Sequence, residues 1–405
     1  MDDKNYENKL ESFFEGYLKK EPLFINKKIL QSNYTPEIIL HREEQINQIA
    51  EVLAPSLRME KPSNLFLFGK TGTGKSLVAI YTINKISIIA KKNNLPIKVF
   101  YLNCKLKRVA DTEYRLISQL CRELGVEVPA TGLPTDEVYK IFIREIEQTK
   151  TLLLIVLDEI DQLVRKTGDE ILYNLTRLNS ELKESQIAFI GISNDLVFTD
   201  SLDPRVKSSL SEEEFVFPPY DAIQLQEILR ERAKMAFREK VVDEGVIEKC
   251  AAYAAREHGD ARRALELLRV AGEIAERKNE TKIATKHIDM AEAKIEKDKI
   301  LDIITTQPKQ FKITLYSILE SEGKTGRVRT GEIYEKYKEN CKSCFVKPLT
   351  QRRVSDIIAE LDMLGIINAK VISKGRGGRT REICLAVPAI NIPKIFNCLK
   401  EGLNL

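Results

Sequence analysis

Short apolar runs recur along the first half of the chain, each bounded by polar or turn residues. They occupy positions 65–68, 99–102, 152–157, 187–192 and 215–217. Amphipathic helical patterns fill the gaps, as in Glu43–Leu53 and 76–90. Apolar strands that alternate with helices are typical of a parallel sheet covered on both faces. The pattern predicts an α/β domain with a five-stranded parallel sheet over residues 1–219, whose first 30 residues form a polar arm.

Two adjacent prolines, Pro218 and Pro219, end this alternation. From 221 to about 299 the sequence shows helical periodicity only. Candidate breaks lie at Gly245 and at His258-Gly259. We therefore predict a separate helical domain over residues 220–304.

The remaining residues, 305–405, show a different order of elements. Helices are predicted at 309–321, 329–339 and 350–364, and strand-like runs at 369–373 and 383–387 flank a basic, glycine-rich tip at 374–381. Three helices followed by such a hairpin make a winged helix. In the third helix, Thr350 is the predicted N-cap, and the predicted core face comprises Val354, Ile357, Ile358, Leu361 and Leu364.

The composition excludes several classes of protein. Of 405 residues, 43% are hydrophobic and 31% are charged, which is typical of a globular protein and not of a disordered chain. No stretch approaches about 18 uninterrupted apolar residues, and the N-terminus lacks the pattern of a secretory signal. Seven cysteines over such a length fit reduced thiols. We expect a cytoplasmic, nucleoid-associated protein without a membrane partner.

The charge is distributed unevenly between the two ends of the chain. From Thr305 to Leu405 there are 18 Lys and Arg against 10 Asp and Glu, a net charge of +8, whereas the first 304 residues carry −4. A basic end on a slightly acidic body suggests an attached nucleic-acid-binding module. A solvated basic surface is the alternative explanation.

A phosphate-binding motif follows the first strand-like run. Residues 69–76, GKTGTGKS, match GxxxxGK[ST] between a predicted strand and a predicted helix. Glycines let backbone N–H groups surround phosphate oxygens, and the helix N-terminus favours an anion. Lys75 is expected to reach the β- and γ-phosphates, and the Ser76 hydroxyl is expected to bind Mg²⁺.

Two acids end the third strand-like run. Asp158 and Glu159 follow 152–157, and the carboxyl ends of parallel strands are where such sheets bind ligands. Asp158 is expected to hold Mg²⁺ through water. Glu159 is expected to orient and polarise the water that attacks the γ-phosphate. The acidic pair and the phosphate loop together predict an ATPase that uses ATP, ADP and Mg²⁺.

Five motifs in order resemble one family. GKTGTGKS, LLLIVLDEID, GISND, LDPRVKSSL and GDARRALELLR are similar to those of AAA+ ATPases, and more closely to archaeal replication initiators related to the eukaryotic origin-recognition-complex and cell-division-cycle loader proteins. The resemblance covers nearly the whole chain. It implies a P-loop AAA+ ATPase domain, an α-helical lid at 220–304 and a C-terminal winged-helix domain.

The resemblance implies roles for three further side chains. Asn194 matches sensor 1, which contacts the attacking water or the γ-phosphate, although a turn-capping Asn is the simpler interpretation of the residue alone. Arg205 matches the arginine finger, with a surface salt bridge as the alternative. Arg262 matches sensor 2 on the lid, and the adjacent Arg263 takes that role if the register shifts by one.

Nucleotide contacts are implied in the loop, at the start of the lid and near the N-terminus. Tyr220 and Arg232 match lid positions that contact nucleotide, with lid packing and a solvated charge as their respective alternatives. Pro36 and His41 belong to the segment 34–42, which is expected at the adenine. The loop contacts are Gly69, Thr71, Gly72, Thr73, Gly74, Lys75, Ser76 and Leu77.

The predicted third helix of the winged helix carries polar residues in its first turn. In helix-turn-helix modules this end enters the major groove of DNA. The candidates are Gln351, Arg352, Arg353 and Ser355. Arg reads guanine edges and Gln reads adenine, but both also bind phosphates.

Two other segments are candidates for DNA contacts. The basic tip contributes Lys374, Arg376, Arg379 and Arg381, which suit the minor groove or its phosphates, with a solvated hairpin as the alternative. The family also carries a helical insertion that touches DNA. The matching stretch here is about 105–134, which the sequence alone assigns to a surface helix and turn, and its contact candidates include Lys105, Thr131 and Gly132.

These observations together predict an ATP-dependent replication initiator that binds duplex origin DNA. By resemblance, it recruits or loads the minichromosome-maintenance helicase, acts beside other initiator paralogues, and uses ATP binding with slow hydrolysis as a switch. The alternatives are an origin-binding negative regulator, or an AAA+ ATPase that acts on protein through its winged helix.

The cysteine and histidine positions favour packing roles. Cys341 and Cys344 have the spacing of half a zinc site, but no second pair follows them. His41, His258 and His287 have no Ser or Cys partner at a recognisable spacing. We therefore predict neither a zinc site nor nucleophilic catalysis.

Overall fold

The computed structural model describes residues 21–105, 112–129, 132–210, 212–322, 327–373, 379–387, 391–403 and 405. The chain divides into two compact units, Met1–Ile288 and Asp289–Leu405. Along the described ranges, no helix combines the length and apolar character needed to cross a bilayer. The predicted domain boundaries at 219 and 304 stay predictions.

The first unit contains a five-stranded parallel sheet. Its strands are β1 (Asn64–Phe68), β2 (Ile97–Asn103), β3 (Leu152–Asp158), β4 (Gln186–Ser193) and β5 (Glu212–Val216). Their order is β2-β3-β4-β1-β5, and all neighbours are parallel, which confirms the predicted sheet. Strand β5 begins at Glu212 and not at residue 215. It lies at the sheet edge, where Glu213 and Glu214 are exposed, so its first half is not apolar.

Helices cover both faces of this sheet. They are α1 (Glu43–Leu53), α2 (Lys75–Lys92), α3 (Glu113–Glu123), α4 (Thr135–Thr149), α5 (Ile160–Thr167), α6 (Glu170–Glu181) and α7 (Pro204–Leu210). Strand β1 shows the two-sided burial directly. Phe66 and Phe68 belong to one buried cluster, and Leu65 and Leu67 belong to another. The alternation follows from the two-residue period of a strand.

Four helices follow β5 in the chain. They are α8 (Ala222–Ala236), α9 (Val246–Arg256), α10 (Ala261–Arg277) and α11 (Thr285–Thr306). The predicted breaks at Gly245 and His258-Gly259 are confirmed, but a third break after α10 was not predicted. Asn279 adopts a left-handed φ of +58°, which stops the helix, and Ile283 then bridges Val242.

The second unit contains a winged helix. Its further elements are α12 (Lys309–Glu322), β6 (Val328–Arg329), α13 (Thr330–Ser343), α14 (Gln351–Met363), β7 (Ile367–Ser373), β8 (Arg379–Leu385) and α15 (Ile392–Leu403). The sheet order β6-β8-β7 is antiparallel. Neither β6 nor α15 was predicted. Strand β6 has two residues, too few for a pattern, whereas α15 buries Ile395, Leu399 and Leu403.

The predicted second wing strand was placed too late in the sequence. Strand β8 starts at Arg379, which pairs with Ser373, so Arg379 and Arg381 lie in the strand and not at the tip. Antiparallel pairing with β7 extends the strand through this polar stretch. Lys374 and Arg376 lie outside the described residues.

We call α14 the recognition helix because of its place in the winged helix. Val354, Ile358 and Leu361 are fully buried, as predicted, and Ile357 is partly buried. Leu364 is 40% exposed, so its predicted core position is wrong. The helix ends at Met363, and the core face therefore stops before Leu364. Thr350 is the N-cap residue, but its side chain makes no capping hydrogen bond.

Candidate nucleotide site and nucleic-acid interface

The phosphate loop connects β1 to α2 and requires glycine at two positions. Gly72 and Gly74 have φ values of +77° and +92°, which a side chain disfavours. A Cβ atom on Gly72 would lie 1.7 Å from the Asp260 carboxylate. The Ala261 N–H also donates to the Gly72 carbonyl over 3.3 Å. The start of α10 therefore packs directly against the loop.

Lys75, the first residue of α2, is buried beneath the phosphate loop. Its Nζ donates to the carbonyls of Gly69 and Lys70 at 2.7 and 2.8 Å, and to Asn194 Oδ1 at 3.0 Å. Burial lowers the pKa of Lys75 to about 8, although the charge of Asp158 partly opposes this. The sensor-1 candidate Asn194 therefore lies in contact with the loop lysine.

Asp158 ends β3 and is buried. The hydroxyl of Tyr101, on the neighbouring strand β2, donates to its carboxylate. Burial, this hydrogen bond and the charge of Asp158 raise the pKa of Tyr101, and a hydrogen bond with Ser76 opposes the rise. Both candidate Mg²⁺ ligands thus contact one phenol. Sequence reasoning did not select Tyr101, which looked like an ordinary strand aromatic.

Glu159 adopts a left-handed backbone with φ of +56°. Its N–H donates to Asp158 Oδ1 over 2.9 Å, so the first acid holds the turn that presents the second. Strained backbone of this kind is concentrated at functional sites. Lys105 Nζ lies 3.5 Å from Glu159 Oε2. The lysine expected in the DNA-contacting insertion therefore lies beside the expected catalytic carboxylate.

The two candidate sensor-2 arginines have different surroundings. Arg263 is 13% exposed in its side chain, and its Nε lies 3.2 Å from a Glu257 carboxylate oxygen. Arg262 contributes its charge to the environment of Lys75, after the larger effects of burial and Asp158. Arg262 is therefore the better placed of the two for the phosphate site.

Arg42 was not selected from the sequence, although it falls within the segment expected at the adenine. It is 2% exposed, and its Nε donates to the Thr73 carbonyl in the phosphate loop over 2.9 Å. Its guanidinium carbon lies 3.8 Å from the centre of the Tyr220 ring. A buried arginine that stacks on an aromatic has no pattern in the sequence, because its partners are distant along the chain.

The structure also gives the surroundings of the remaining nucleotide-contact candidates near the lid. Arg232 is buried, its guanidinium lies 4.6 Å from the Tyr34 ring centre, and the alternative of a solvated charge is wrong. His41 Nε2 lies 2.9 Å from a Glu227 carboxylate oxygen on α8. Pro36, which lies between Tyr34 and His41 in the sequence, is half-buried.

Arg205 differs from all of these cations. It lies in the first turn of α7, its side chain is 87% exposed, and its Nε is 3.2 Å from Asp203 Oδ1. The surface salt bridge that was the alternative interpretation of Arg205 is therefore present. Its exposure also leaves the guanidinium accessible to a second molecule.

The recognition helix presents its first turn to solvent. Gln351, Arg352 and Arg353 are exposed, and Arg353 lies 3.8 Å from Asp356 in a loose ion pair. Arg381 on β8 donates to the Ser355 carbonyl over 3.0 Å. This bond ties the second wing strand to the recognition helix, so Arg381 is engaged with the protein itself.

The candidate insertion is described only in part. Gly132 is exposed with φ of +109°. Thr131 lies outside the described residues, as do Lys374 and Arg376 of the wing.

The topology and the loop define a protein class. Strand β1 lies between β4 and β5, so the phosphate loop opens beside Asn194 at the end of β4, with the helical segment packed on it. This is the arrangement of an AAA+ ATPase-type protein. Three family models match in succession: an AAA domain at 58–197, the Cdc6 AAA+ ATPase-type lid domain at 226–293, and the CDC6 C-terminal winged helix domain at 302–394.

Similar proteins identify the family. An ORC1-type DNA replication protein of Thermococcus onnurineus is 52% identical over 402 residues, covering 98% of this chain and 95% of the relative. ORC1-type DNA replication protein 1 of Methanosarcina acetivorans is 50% identical over 390 residues, covering 96% and 93%. The solved structure of the Aeropyrum pernix ORC1 protein in complex with DNA is 44% identical, with a TM-score of 0.82 over 94% of this chain and 98% of that one. The chain belongs to the archaeal Orc1/Cdc6 initiators, the ORC1-type DNA replication proteins.

Proposed function

We propose that this protein initiates DNA replication by binding origin duplex DNA in a manner controlled by ATP. The carrying observation is that one chain combines a phosphate loop, which engages both Asn194 and the start of α10, with a recognition helix whose basic first turn is exposed. The DNA-bound Aeropyrum pernix relative, at 44% identity, supports DNA as the partner.

The residues of the phosphate site suit a magnesium–nucleotide complex. Lys75 is a buried cation whose bonds go to neutral oxygens, so an anion is the partner that it lacks. Gly69, Thr71, Gly72, Thr73, Gly74, Lys75, Ser76 and Leu77 would surround the phosphates. Ser76 and Asp158 would hold Mg²⁺, which neutralises phosphate charge. Tyr220, Arg232, Pro36 and His41 would contact the remainder of the nucleotide.

Hydrolysis would follow the AAA+ pattern. Glu159 would accept a proton from the attacking water while the water oxygen forms a bond to the γ-phosphorus. The bond between the γ-phosphorus and the bridging oxygen breaks at the same time, which leaves ADP and phosphate. Lys75 and Arg262 stabilise the charge that develops on the phosphoryl oxygens, and Asn194 positions the water. Arg205 would act on the nucleotide of a neighbouring molecule.

Slow turnover is consistent with the contacts of these residues. Glu159 lies beside Lys105, and Asn194 bonds Lys75. Both contacts must rearrange before the two side chains can address a water molecule. ATP binding would then be the switch, and hydrolysis would reset it.

DNA binding would use the recognition helix, the wing and the insertion together. Gln351, Arg352, Arg353 and Ser355 would enter the major groove. Lys374, Arg376 and Arg379 would follow the backbone or minor groove, with Arg381 orienting the wing, and Lys105, Thr131 and Gly132 would add contacts from the ATPase domain. Recruitment of the minichromosome-maintenance helicase and cooperation with initiator paralogues rest on the family resemblance.

Duplex binding across a salt series tests this proposal. An origin duplex and a scrambled duplex are titrated with ATP or ADP present, using wild type and an Arg352/Arg353/Arg376/Arg379 alanine variant. We expect tighter origin binding by wild type and a shallower salt slope for the variant, by roughly 0.9 per lost phosphate contact.

The control removes charge elsewhere in the same unit, through Lys336→Ala with Lys338→Ala on α13. Equal binding by wild type and the arginine variant would refute the DNA assignment and favour an ATPase that acts on protein. Origin binding that blocks helicase loading in a reconstituted reaction would instead indicate a negative regulator.

A further inference from the structure

Arg42 joins three segments of the chain through one guanidinium group. Its Nη1 donates to the His41 carbonyl over 2.8 Å, its Nη2 to the Pro218 carbonyl over 2.6 Å, and its Nε to the Thr73 carbonyl over 2.9 Å. These carbonyls belong to the approach to α1, the linker that leads to α8, and the phosphate loop. Each of the three guanidinium nitrogens therefore donates one hydrogen bond.

The linker also contacts the phosphate loop directly. Tyr220 stacks on Arg42, and a Cβ atom on Gly74 would lie 2.9 Å from the Tyr220 hydroxyl and 3.8 Å from Arg42 Nε. A Cβ atom on Gly69 would lie 2.6 Å from the Phe217 carbonyl oxygen. The guanidinium and the ring therefore lie against the loop itself, with no room between them and the backbone.

The bond to Thr73 has an electrostatic consequence. The Thr73 carbonyl and the Gly74 N–H belong to the same peptide group. A cation that bonds the carbonyl polarises this peptide and strengthens its N–H as a donor. Backbone N–H groups of this loop are the groups that bind phosphate. Arg42 thus adds positive potential at the loop without contacting the ligand.

The bond to Pro218 and the stack on Tyr220 have a mechanical consequence. The linker of residues 217–221 is the segment through which α8 and the helices after it connect to the sheet. The same side chain that orders the loop therefore orders the start of the helical lid. The Thr73 and Pro218 carbonyls are thus joined through two hydrogen bonds to the same guanidinium group, so a displacement of one should displace the other.

We propose that Arg42 is a positioning residue that couples phosphate binding to the placement of the lid. The inference rests on the proposed function only in assuming that the loop binds ATP. It predicts that Arg42 contributes equally to ATP and ADP affinity, because the Thr73–Gly74 peptide lies in the loop that is expected to bind either nucleotide. Arg262, which would contact the γ-phosphate under the proposed function, should instead favour ATP.

The test uses the full chain with Arg42→Met, Arg42→Lys and a matched control, Arg269→Met. Arg269 is a half-buried lid arginine that pairs with Glu273, away from the loop. ATP and ADP affinities are measured by calorimetry, and hydrogen exchange of Ala222–Ala236 and Ala261–Arg277 is measured with and without saturating nucleotide.

We expect Arg42→Met to weaken ATP and ADP to a similar extent, roughly 10- to 100-fold, because a charge-assisted bond to the loop is lost. The slowing of lid exchange by nucleotide should disappear even at saturation. Arg42→Lys keeps the charge but not the three-way bond or the stack, so its affinity should fall less while the lid response is still lost. Arg269→Met should behave as wild type.

The outcomes separate this inference from the broader proposal. If wild type binds no ATP, the nucleotide assignment fails. If wild type binds ATP, and Arg42→Met binds both nucleotides within about twofold of wild type with a normal lid response, the coupling role is overturned. Should Arg42→Met not fold, the same comparison for Arg42→Lys decides the matter.

Discussion

The cations of the nucleotide site and those of the recognition helix are arranged in opposite ways. Lys75 and Arg42 are 5% and 2% exposed, and each makes three hydrogen bonds within the protein. Arg352 and Arg353 are exposed, and the side chain of Arg353 is 74% accessible with one loose ion pair. One set is fixed before its ligand arrives, and the other is free to adjust.

The difference matches what the two proposed ligands would require. A triphosphate is small and presents its oxygens in one arrangement, so a few desolvated donors in fixed positions give affinity and selectivity. DNA presents many similar phosphates along a groove, and exposed arginines bind them with a gain that depends on released counterions. Replacing a buried cation should therefore lower ligand affinity strongly and by an amount that depends little on salt. Replacing an exposed cation should lower ligand affinity less, by an amount that depends strongly on salt.

The largest expected effect is at Lys75. Lys75→Ala removes the charged donor to the phosphates, and we expect ATP affinity to fall by roughly 100-fold or more. The ratio to wild type should change little between roughly 0.05 and 0.3 M salt, because buried interactions are weakly screened. Nucleotide titration measures it, with Lys85→Ala, an exposed position on α2, as the control. Undiminished ATP binding would contradict the nucleotide assignment.

A smaller effect is expected on the exposed side. Arg352→Ala with Arg353→Ala should weaken duplex binding by about tenfold at physiological salt and reduce the log–log salt slope by roughly 1.8. Fluorescence anisotropy over a salt series gives both values. A loss of affinity without a change of slope would mean that these arginines read bases and do not grip phosphates.

Arg381 lies between the two cases, since it is a cation engaged with the protein. Arg381→Met removes the bond to the Ser355 carbonyl, and we expect DNA affinity to fall about two- to fivefold through misorientation of the wing. The salt slope should stay as in wild type. A slope reduced by about 0.9 would show that Arg381 contacts a phosphate after all.

The smallest expected effect is the uptake of a proton by Lys75 when ATP binds. In the protein without nucleotide, Lys75 has its pKa lowered to about 8, and the charge of bound phosphates should raise it again. Well below the lowered pKa, Lys75 is charged both with and without nucleotide, so binding takes up no proton. From about pH 7 to about pH 9, ATP binding should take up an increasing fraction of one proton, and affinity should fall accordingly.

Calorimetry in buffers of different ionisation enthalpy measures this uptake. Lys75→Arg is the control, because its guanidinium stays charged throughout the range. Uptake that is identical in wild type and Lys75→Arg would place the titrating group elsewhere.

The fold was predictable where local patterns and burial agree. The apolar runs of the three inner strands, β1, β3 and β4, are buried on both faces, so their apolar sequences marked them. Edge strand β5, the two-residue β6 and the polar start of β8 are held by pairing with neighbours, which no local pattern records. Helix α15 carries a regular apolar face at Ile395, Leu399 and Leu403, so its periodicity was available and was overlooked.

The site divides in the same way. The loop and the acidic pair were named from sequence motifs, and the sensor positions were implied by the family resemblance. Arg42 and Tyr101 act through partners far along the chain, Thr73 and Pro218 in one case and Asp158 in the other. Their positions depend on tertiary packing, and single-sequence patterns do not contain it.

The left-handed turn at Glu159 bears on how this protein responds to selection. A side chain with a Cβ atom is disfavoured there by roughly 1 kcal/mol, which glycine would recover. A library selected for thermal endurance alone should therefore drift from Glu159 towards glycine or asparagine, and under the proposed function it would lose hydrolysis as it gains stability. The residue marks a place where durability and turnover make opposite demands on one peptide unit.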